Sequence, residues 1–230
     1  MRIVIIGAMQ KEIDFLLERL GSSNKVNHFK YIFYEGKLFD KDVIIVKSGI
    51  GKVASGLLVS AIVNYYKDID LIINIGVSGG VSGKVKIGDI VVADKLKYAD
   101  VDVTIFEDYI YGQIPNAPKY FTPVIELIKN ANISSKYNIG GIISGDEFYN
   151  KKYIVDQLIK SHFMEDNILC LDMESAALAH SSWFYDIDYL AIRAISDLIG
   201  SEFQENQYSE NLELACINSN KFLLEFLEKI

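Results

Sequence analysis

The 230-residue chain has a formal net charge of −8, with 50% hydrophobic and 23% charged residues. This composition is typical of a globular domain with a sizeable core and excludes a disordered chain. The acidic balance disfavours binding to a nucleic-acid backbone, which requires clustered lysines and arginines. The N-terminal apolar run meets charge at Lys11 and Glu12, and is too short for a signal peptide or a membrane span. We therefore expect a cytoplasmic protein that binds neither nucleic acid nor membranes.

Strand and helix signals alternate along the chain. Short β-branched runs predict strands at 2–8, 31–39, 41–49, 69–76, 88–101, 137–144, 167–172 and 187–196. Apolar residues at helical spacing predict helices at 10–20, 51–66, 119–131, 151–161, 174–185 and from about 208 onward. Near-continuous apolar strands between helices are typical of a largely parallel sheet that helices cover on both faces. The sequence thus predicts a single α/β domain over residues 1–230, with a central, mixed but mostly parallel sheet flanked by helices.

The cysteines and histidines show no pattern that indicates a metal site. Cys170 and Cys216 are far apart, and each lies in an apolar context, which favours buried free thiols over a disulfide. His28, His162 and His180 are scattered and lack the spacing of metal ligands. We expect neither a metal nor another cofactor.

Residues 100–118, DVDVTIFEDYIYGQIPNAP, are predicted to form a long loop. The aromatic side chains of such a loop are expected to be buried against another surface, since large apolar patches are rarely exposed to water. Phe and Tyr are enriched at protein interfaces, and two-fold homodimers are the commonest soluble assembly. The loop therefore predicts a homodimer.

Several glycines and carboxylates follow the predicted strands, where ligands of open α/β sheets bind. Glu12 comes shortly after the first strand, Gly79 after the fourth, and Glu174 and Asp197 after the last two. Taken singly, each has an ordinary structural explanation. An acid favours a helix N-terminus, an aspartate caps or turns the chain, and a glycine makes a tight turn. The glycine-rich stretches match neither a P-loop nor a dinucleotide fingerprint.

Taken together and in order, eight stretches resemble one family. They are IIGAMQKEI, VKSGIGKVAS, INIGVSGG, VKIGDIVVAD, DVTIFEDYIYGQIP, IISGDEFY, LDMESAALAH and RAISD. In this order they resemble the 5′-methylthioadenosine/S-adenosylhomocysteine nucleosidases of the nucleoside phosphorylase/hydrolase superfamily. The resemblance runs from residue 1 to about residue 197 and continues more loosely into the C-terminal helix. It implies a nucleoside phosphorylase-like fold and hydrolysis of both thioether nucleosides to adenine and a 5-thioribose product.

The resemblance also implies roles for individual residues. Glu12 matches the general base that activates water, and Asp197 matches the acid that protonates the leaving purine. Glu174 matches the residue that accepts hydrogen bonds from the ribose hydroxyls. The other positions that match substrate contacts are Ile50, Gly79, Phe148, Tyr149, Met173, Arg193 and Ser196. Within the predicted dimer, the partner chain's Val103, Phe106 and Pro115 would enclose the 5′-alkylthio group.

The reaction that the resemblance implies requires the same catalytic groups, an acid and a base. Cleavage of a ribosyl C–N bond passes through an oxocarbenium-like state, which calls for one acid on the leaving group and one base on water. The acid must be protonated near neutral pH, so its pKa must be raised. The apolar strand LAIRAIS that precedes Asp197 could raise it by desolvation.

Three alternatives remain open. A purine nucleoside phosphorylase must hold a phosphate dianion, best done by Arg or Lys donors, but the three arginines are Arg2, Arg19 and Arg193, and none lies in the glycine-rich stretches. A futalosine-type hydrolase would share the machinery and differ only at the 5′ group of its substrate. A non-catalytic adenosine-binding module would keep the aromatic pair Phe148 and Tyr149 without needing the two catalytic carboxylates.

Overall fold

The computed structural model describes residues 1–21 and 23–230, and within them it contains nine strands and six helices. In chain order these are β1 (Arg2–Gly7), α1 (Gln10–Leu20), β2 (Asn24–His28), β3 (Tyr31–Leu38), β4 (Lys41–Lys47), α2 (Lys52–Tyr65), β5 (Leu71–Gly80), β6 (Ile90–Tyr98), α3 (Glu126–Asn130), β7 (Asn138–Ser144), α4 (Lys152–His162), β8 (Ile168–Asp172), α5 (Ser175–Phe184), β9 (Asp188–Leu198) and α6 (Gln204–Lys229).

All nine strands belong to one sheet in the order β2-β3-β4-β1-β5-β8-β7-β6-β9. The pairs β1–β4, β1–β5, β5–β9, β6–β7 and β7–β8 are parallel, whereas β2–β3, β3–β4, β5–β8 and β6–β9 are antiparallel. Because β9 also pairs with β5, five strands close into a ring and the other four extend from it as an open sheet. The predicted mixed, mostly parallel sheet is confirmed.

Helices cover both faces of the sheet. One core cluster packs Ile5 and Ile73 of the sheet against α1 and α6, and a second packs Ile6 and Ile72 against α2 and α5. Alternate residues of a strand point to opposite faces, so a strand such as β5 contributes to both clusters. This double coverage explains why the strands read as continuous apolar runs rather than as alternating ones.

Helix α1 shows how the sequence places a carboxylate at the end of a strand. Ile13, Leu16 and Leu20 are buried at the spacing that forms one apolar stripe against the sheet. Glu12, in the first turn, is buried beside them, and an acid at this position is stabilised by the helix dipole. The helix ends at Gly21, whose φ of 65° suits glycine because other residues rarely adopt it.

Three element predictions differ from the structure. The edge strand β2 was missed because its sequence, NKVNH, has a single apolar residue and is mostly exposed. The predicted helix at 119–131 is reduced to α3, because Phe121 pairs with Leu96 across the sheet and Pro123 follows it; proline also disfavours helical geometry in the residue before it. Helix α6 begins at Gln204 instead of about 208.

Two other predictions concern the loop and the cysteines. Residues 100–118 contain turns but neither helix nor strand, as predicted. Cys170 and Cys216 are buried free thiols, also as predicted, and burial raises the pKa of each to about 12. Within the described residues, no helix combines the length and apolarity needed to cross a membrane.

Candidate active site

A cavity of about 660 Å³, including the part open to solvent, lies at the carboxyl ends of the strands. Its lining residues come from the ends of β5, β8 and β9 and from the segments that follow β1, β4, β7, β8 and β9. They are Ala8, Met9, Glu12, Ile50, Val77, Ser78, Gly79, Glu147, Phe148, Tyr149, Leu171, Asp172, Met173, Glu174, Ser196, Asp197, Ile199, Gln204 and Tyr208. The size is in the range of small-molecule sites.

Glu12 is held by main-chain donors. Its Oε2 accepts hydrogen bonds from the backbone N–H groups of Ala8 at 2.6 Å and Met9 at 2.9 Å, and its Oε1 accepts one from Val77 at 3.0 Å. The carboxylate lies against the backbone of Gly76, where an added Cβ would overlap with it. Burial raises the pKa of Glu12, although the three N–H donors and a nearby guanidinium oppose the shift. The fold therefore fixes this carboxylate in one orientation and makes it a stronger base than an exposed glutamate.

Glu174 lies immediately before α5. Its Oε1 accepts a hydrogen bond of 2.8 Å from the backbone N–H of Gly51, at the N-terminus of α2. Burial and the neighbouring charge of Asp172 raise the pKa of Glu174 to about 7. The second carboxylate oxygen makes no hydrogen bond within the described residues, so it can accept a ligand donor.

An ion pair beneath the cavity supports these carboxylates. The Nε and Nη2 atoms of Arg193 lie 2.9 and 2.7 Å from Oδ2 of Asp172. The remaining guanidinium donors bind the backbone oxygens of Asn74 and Ile192 and the side-chain oxygen of Asn74. Asp172 also accepts bonds from the hydroxyls of Ser144 and Ser175. A buried pair with this many partners fixes the local geometry.

Asp197, on β9, is paired across the sheet with Gly79 on β5. Its Oδ1 accepts a 2.6 Å hydrogen bond from the hydroxyl of Ser196, and its Oδ2 accepts a 2.8 Å bond from Nε2 of Gln204. Burial raises the pKa of Asp197, against the opposing effect of these two donors. A carboxyl group in this setting can be protonated well above the usual pH range of an aspartate.

Aromatic side chains form the outer wall of the cavity. The rings of Phe148 and Tyr208 meet edge to face, with centroids 5.6 Å apart. The Tyr208 hydroxyl lies 3.6 Å from the Met9 sulfur. Phe148 is 49% exposed, so one side of its ring is free to stack on a planar ligand.

The structure brings together most of the residues that the sequence predicted for the site. Nine of them line the cavity: Glu12, Ile50, Gly79, Phe148, Tyr149, Met173, Glu174, Ser196 and Asp197. Arg193 lies behind the wall, with its donors bound to protein, and does not line the cavity. Val103, Phe106 and Pro115 do not line the cavity of their own chain.

Sequence reasoning missed several lining residues. Asp172 stands directly before the Met173-Glu174 pair, and its place at the end of a buried strand is a signal that could have found it. Ile199 lies just after β9, and Gln204 is the first residue of α6, where a polar residue carries no periodic signal. No group of three or more His, Cys, Asp or Glu side chains in the described residues is arranged to hold a metal ion.

Comparisons with known proteins agree on one family. The family model described as "Phosphorylase superfamily" matches residues 2–228. A 5′-methylthioadenosine/S-adenosylhomocysteine nucleosidase of Colwellia psychrerythraea is 33% identical, over 100% of this chain and 97% of the relative.

Solved structures give the same result. The nucleosidase of this type from S. pneumoniae, solved with a transition-state inhibitor, has a TM-score of 0.92 and 33% identity, and the match covers 100% of this chain and 99% of the other. A futalosine hydrolase mutant from Helicobacter pylori has a TM-score of 0.90 at 27% identity, with 100% and 99% coverage. Because the superfamily match and the full-length relatives agree, the chain belongs to the 5′-methylthioadenosine/S-adenosylhomocysteine nucleosidases of the phosphorylase superfamily.

Proposed function

We propose that this protein hydrolyses the N-glycosidic bond of 5′-methylthioadenosine and S-adenosylhomocysteine, releasing adenine and a 5-thioribose product. The observation that carries the proposal is a pair of buried carboxyl groups, Glu12 and Asp197, that line one cavity and both have a raised pKa. They lie beside Gly76 and Gly79 of β5, which at about 3.3 Å per residue are roughly 10 Å apart along the strand. This spacing leaves room for a water and a sugar between a base and an acid.

In this proposal Glu12 is the general base. Its carboxylate is fixed by three main-chain donors, so it needs little reorganisation when it accepts a proton from water. A raised pKa increases the driving force for that transfer, and general base catalysis of this type is worth about 10²–10⁴-fold in rate. The buried Arg193 charge lies close enough to affect the Glu12 pKa, and so limits how far it rises.

Asp197 is the general acid. Delivery of a proton to the purine lets the base leave as a neutral molecule, and the proton must be present on the carboxyl group when the C–N bond breaks. Burial favours the protonated form of Asp197. Before the nucleoside binds, Ser196 and Gln204 donate to different oxygens of this carboxylate, which fixes its orientation at that stage.

The remaining lining residues position the nucleoside. Glu174 accepts hydrogen bonds from the ribose hydroxyls through its free oxygen, with Met173 beside it at the sugar. Phe148 stacks on the purine, and the Tyr149 main chain binds the purine edge. Ile50 and Gly79 complete the walls around these groups, and Arg193 acts indirectly, as a positioning residue that holds Asp172.

The 5′ side of the substrate is completed by a second copy of the chain. We propose a homodimer in which Val103, Phe106 and Pro115 of the partner enclose the 5′-alkylthio group. Phe106 is 63% exposed and Ile105 is 87% exposed, and side chains of this type are buried at interfaces. An apolar pocket would accept both a methylthio and a longer homocysteine group, because apolar contact is non-directional. We place the dimer in the cytoplasm, where both thiols stay reduced.

Water, not phosphate, is the nucleophile. The described residues that line the cavity include five carboxylates, Glu12, Glu147, Asp172, Glu174 and Asp197, and neither lysine nor arginine. A phosphate dianion in this setting would meet repulsion without the charged donors that recognise it.

The test is to measure adenine release from 5′-methylthioadenosine with and without phosphate. We expect free adenine and a reducing thioribose at a rate that phosphate leaves unchanged. A ribose 1-phosphate product would show a phosphorylase instead. Futalosine, offered in the same assay, serves as the comparison substrate: faster cleavage of futalosine than of either thioether nucleoside would contradict the proposed substrate class.

A further inference from the structure

Gln204 lies between two groups of the proposed purine site. It is the first residue of α6, is 5% exposed and lines the cavity. Its Nε2 donates to the backbone oxygen of Tyr149 at 2.9 Å and to Oδ2 of Asp197 at 2.8 Å. Its Oε1 accepts a 2.7 Å bond from the backbone N–H of Gly200. All three contacts agree on one orientation of the amide, with the nitrogen toward the cavity acceptors.

The two acceptors that Gln204 binds suit an amino group with two hydrogens. A primary amide nitrogen is planar and carries two N–H donors. The exocyclic amino group of a 6-aminopurine is also planar, with two N–H donors, and is attached to a flat ring in the same way. The Tyr149 carbonyl oxygen and the Asp197 carboxylate oxygen bind the Gln204 amide nitrogen at 2.9 and 2.8 Å. They are therefore placed to bind the amino group of a 6-aminopurine in the same way.

We propose that the Gln204 amide and the amino group of a bound 6-aminopurine compete for the Tyr149 carbonyl and the Asp197 carboxylate, so that adenine displaces the Gln204 side chain. The inference rests on the proposed function, since it takes the cavity to be the purine site. It makes Gln204 a specificity-determining residue: the exchange removes two protein hydrogen bonds for every adenine that binds, and the return of Gln204 favours release of the base.

The exchange has a consequence for ligands without the amino group. Unsubstituted purine offers no donor at this position, so Gln204 can keep both acceptors bound while purine occupies the rest of the site. Adenine alone is weakened by the competition. Removal of the amide should therefore increase the preference for adenine over purine, because buried acceptors without a partner are costly and only adenine then satisfies them.

The experiment measures the dissociation constants of adenine and of purine by calorimetry for three proteins: wild type, Gln204→Met and Gln207→Met. Methionine keeps the size of the side chain and removes the amide. Gln207 is the matched control, because its Oε1 accepts from the Leu198 N–H at 3.1 Å and the Ser201 hydroxyl at 3.0 Å in the same turn, yet it does not line the cavity.

We expect the ratio of the purine to the adenine dissociation constant to rise about tenfold in Gln204→Met, as two hydrogen bonds would allow, and to stay unchanged in Gln207→Met. A crystal structure with adenine should show Nε2 of Gln204 beyond hydrogen-bond distance of the Tyr149 oxygen. A ratio that is unchanged or lower in Gln204→Met would overturn the competition and leave Gln204 as a brace of the turn.

The outcome can be separated from failure of the proposed function. If wild type releases adenine from 5′-methylthioadenosine and the ratio does not rise, the competition alone is wrong. If wild type neither releases nor binds adenine, both proposals fail. If purine and adenine weaken equally in both methionine variants, the turn has lost its order and adenine does not compete with Gln204.

Discussion

The carboxylate cluster (Glu12, Asp172, Glu174 and Asp197) and the loop (residues 100–118) differ in how completely groups of the same chain bury them and bond to them. Every member of the cluster is buried and bonded to groups of its own chain. In the loop, local bonds such as those from Thr104 to the Asp102 carboxylate at 3.0 and 2.7 Å shape the backbone. The apolar side chains beside them remain in contact with solvent.

This contrast separates the two parts of the proposed reaction. The acid and the base need exact positions and shifted pKa values, which a rigid sheet and its main-chain donors provide. The 5′ group needs only apolar contact, which the loop of a second chain can supply. In the proposed homodimer the chemistry would belong to one chain, and acceptance of the thioether would belong to two.

The largest expected effect comes from Asp197→Asn, which removes the proton donor of the cluster. Turnover of 5′-methylthioadenosine should fall by about 10³-fold or more, near the upper part of the range for acid–base catalysis. Asparagine can still accept from Gln204 and pair with Ser196, so the fold should survive, as checked by circular dichroism. Asp68→Asn, on the surface, is the control. Near-normal turnover of Asp197→Asn would show that the purine acid lies elsewhere.

A mixing experiment tests whether the loop acts across the dimer. Asp197→Asn and Phe106→Asp should each be inactive, because a carboxylate is costly in an apolar pocket. After subunit exchange, half of the dimers are mixed and one of their two sites is intact, so about a quarter of the activity should return.

The control for that experiment uses two variants of the cluster. Asp197→Asn mixed with Glu12→Gln should regain no activity, because both residues belong to the same chain's site. Recovery in the control, or a fully active monomer in sedimentation, would contradict the division between cluster and loop.

Glu174→Gln should change stability with pH. In the folded chain burial and Asp172 raise the pKa of Glu174 from 4.5 to about 7, so the folded state binds the proton more tightly than the unfolded state does. The stabilisation by this proton is present below pH 4.5 and is lost as the pH rises through 7. A shift of this size corresponds to about 3 kcal/mol.

Glutamine stays neutral and can still accept from Gly51, so Glu174→Gln should raise the Tm at pH 8 by about 5 °C or more and should change it little at pH 4.5. Calorimetry at the two pH values makes the comparison, with the exposed Glu147→Gln as the control. Glu174→Gln should also bind substrate more weakly. Equal Tm shifts at both pH values would show that the gain does not come from the charge.

The cluster was more predictable from the sequence than its supports were. Apolar runs mark the buried strands, and the residues that follow them meet at one edge of the sheet, which placed Glu12, Glu174 and Asp197 near one another, while the family resemblance assigned their roles. The direction of a long side chain is set by packing, so the sequence could not show that Arg193 turns to Asp172 behind the wall. Gln204 was missed for the same reason, since only the folded turn brings it to Asp197.

The smallest expected effect comes from Ser196→Ala and distinguishes support of the acid from contact with substrate. The Ser196 hydroxyl donates to Oδ1 of Asp197 at 2.6 Å, which favours the ionised carboxylate and lowers its pKa. Without this donor the pKa rises. Because the reaction needs protonated Asp197, activity is lost as the pH rises through that pKa, and the alkaline limb of kcat/KM should move to higher pH.

When water partly replaces a lost hydrogen bond to a charged group, the pKa of that group changes by about one unit or less. The alkaline limb should therefore shift by about half a pH unit to one pH unit. The plateau rate should stay within about threefold of wild type, because the acid itself remains. Ser201→Ala is the matched control, since that hydroxyl bonds to Gln207 away from the cavity. If Ser196→Ala instead raised KM and left the limb in place, the hydroxyl would bind substrate directly, as the sequence suggested.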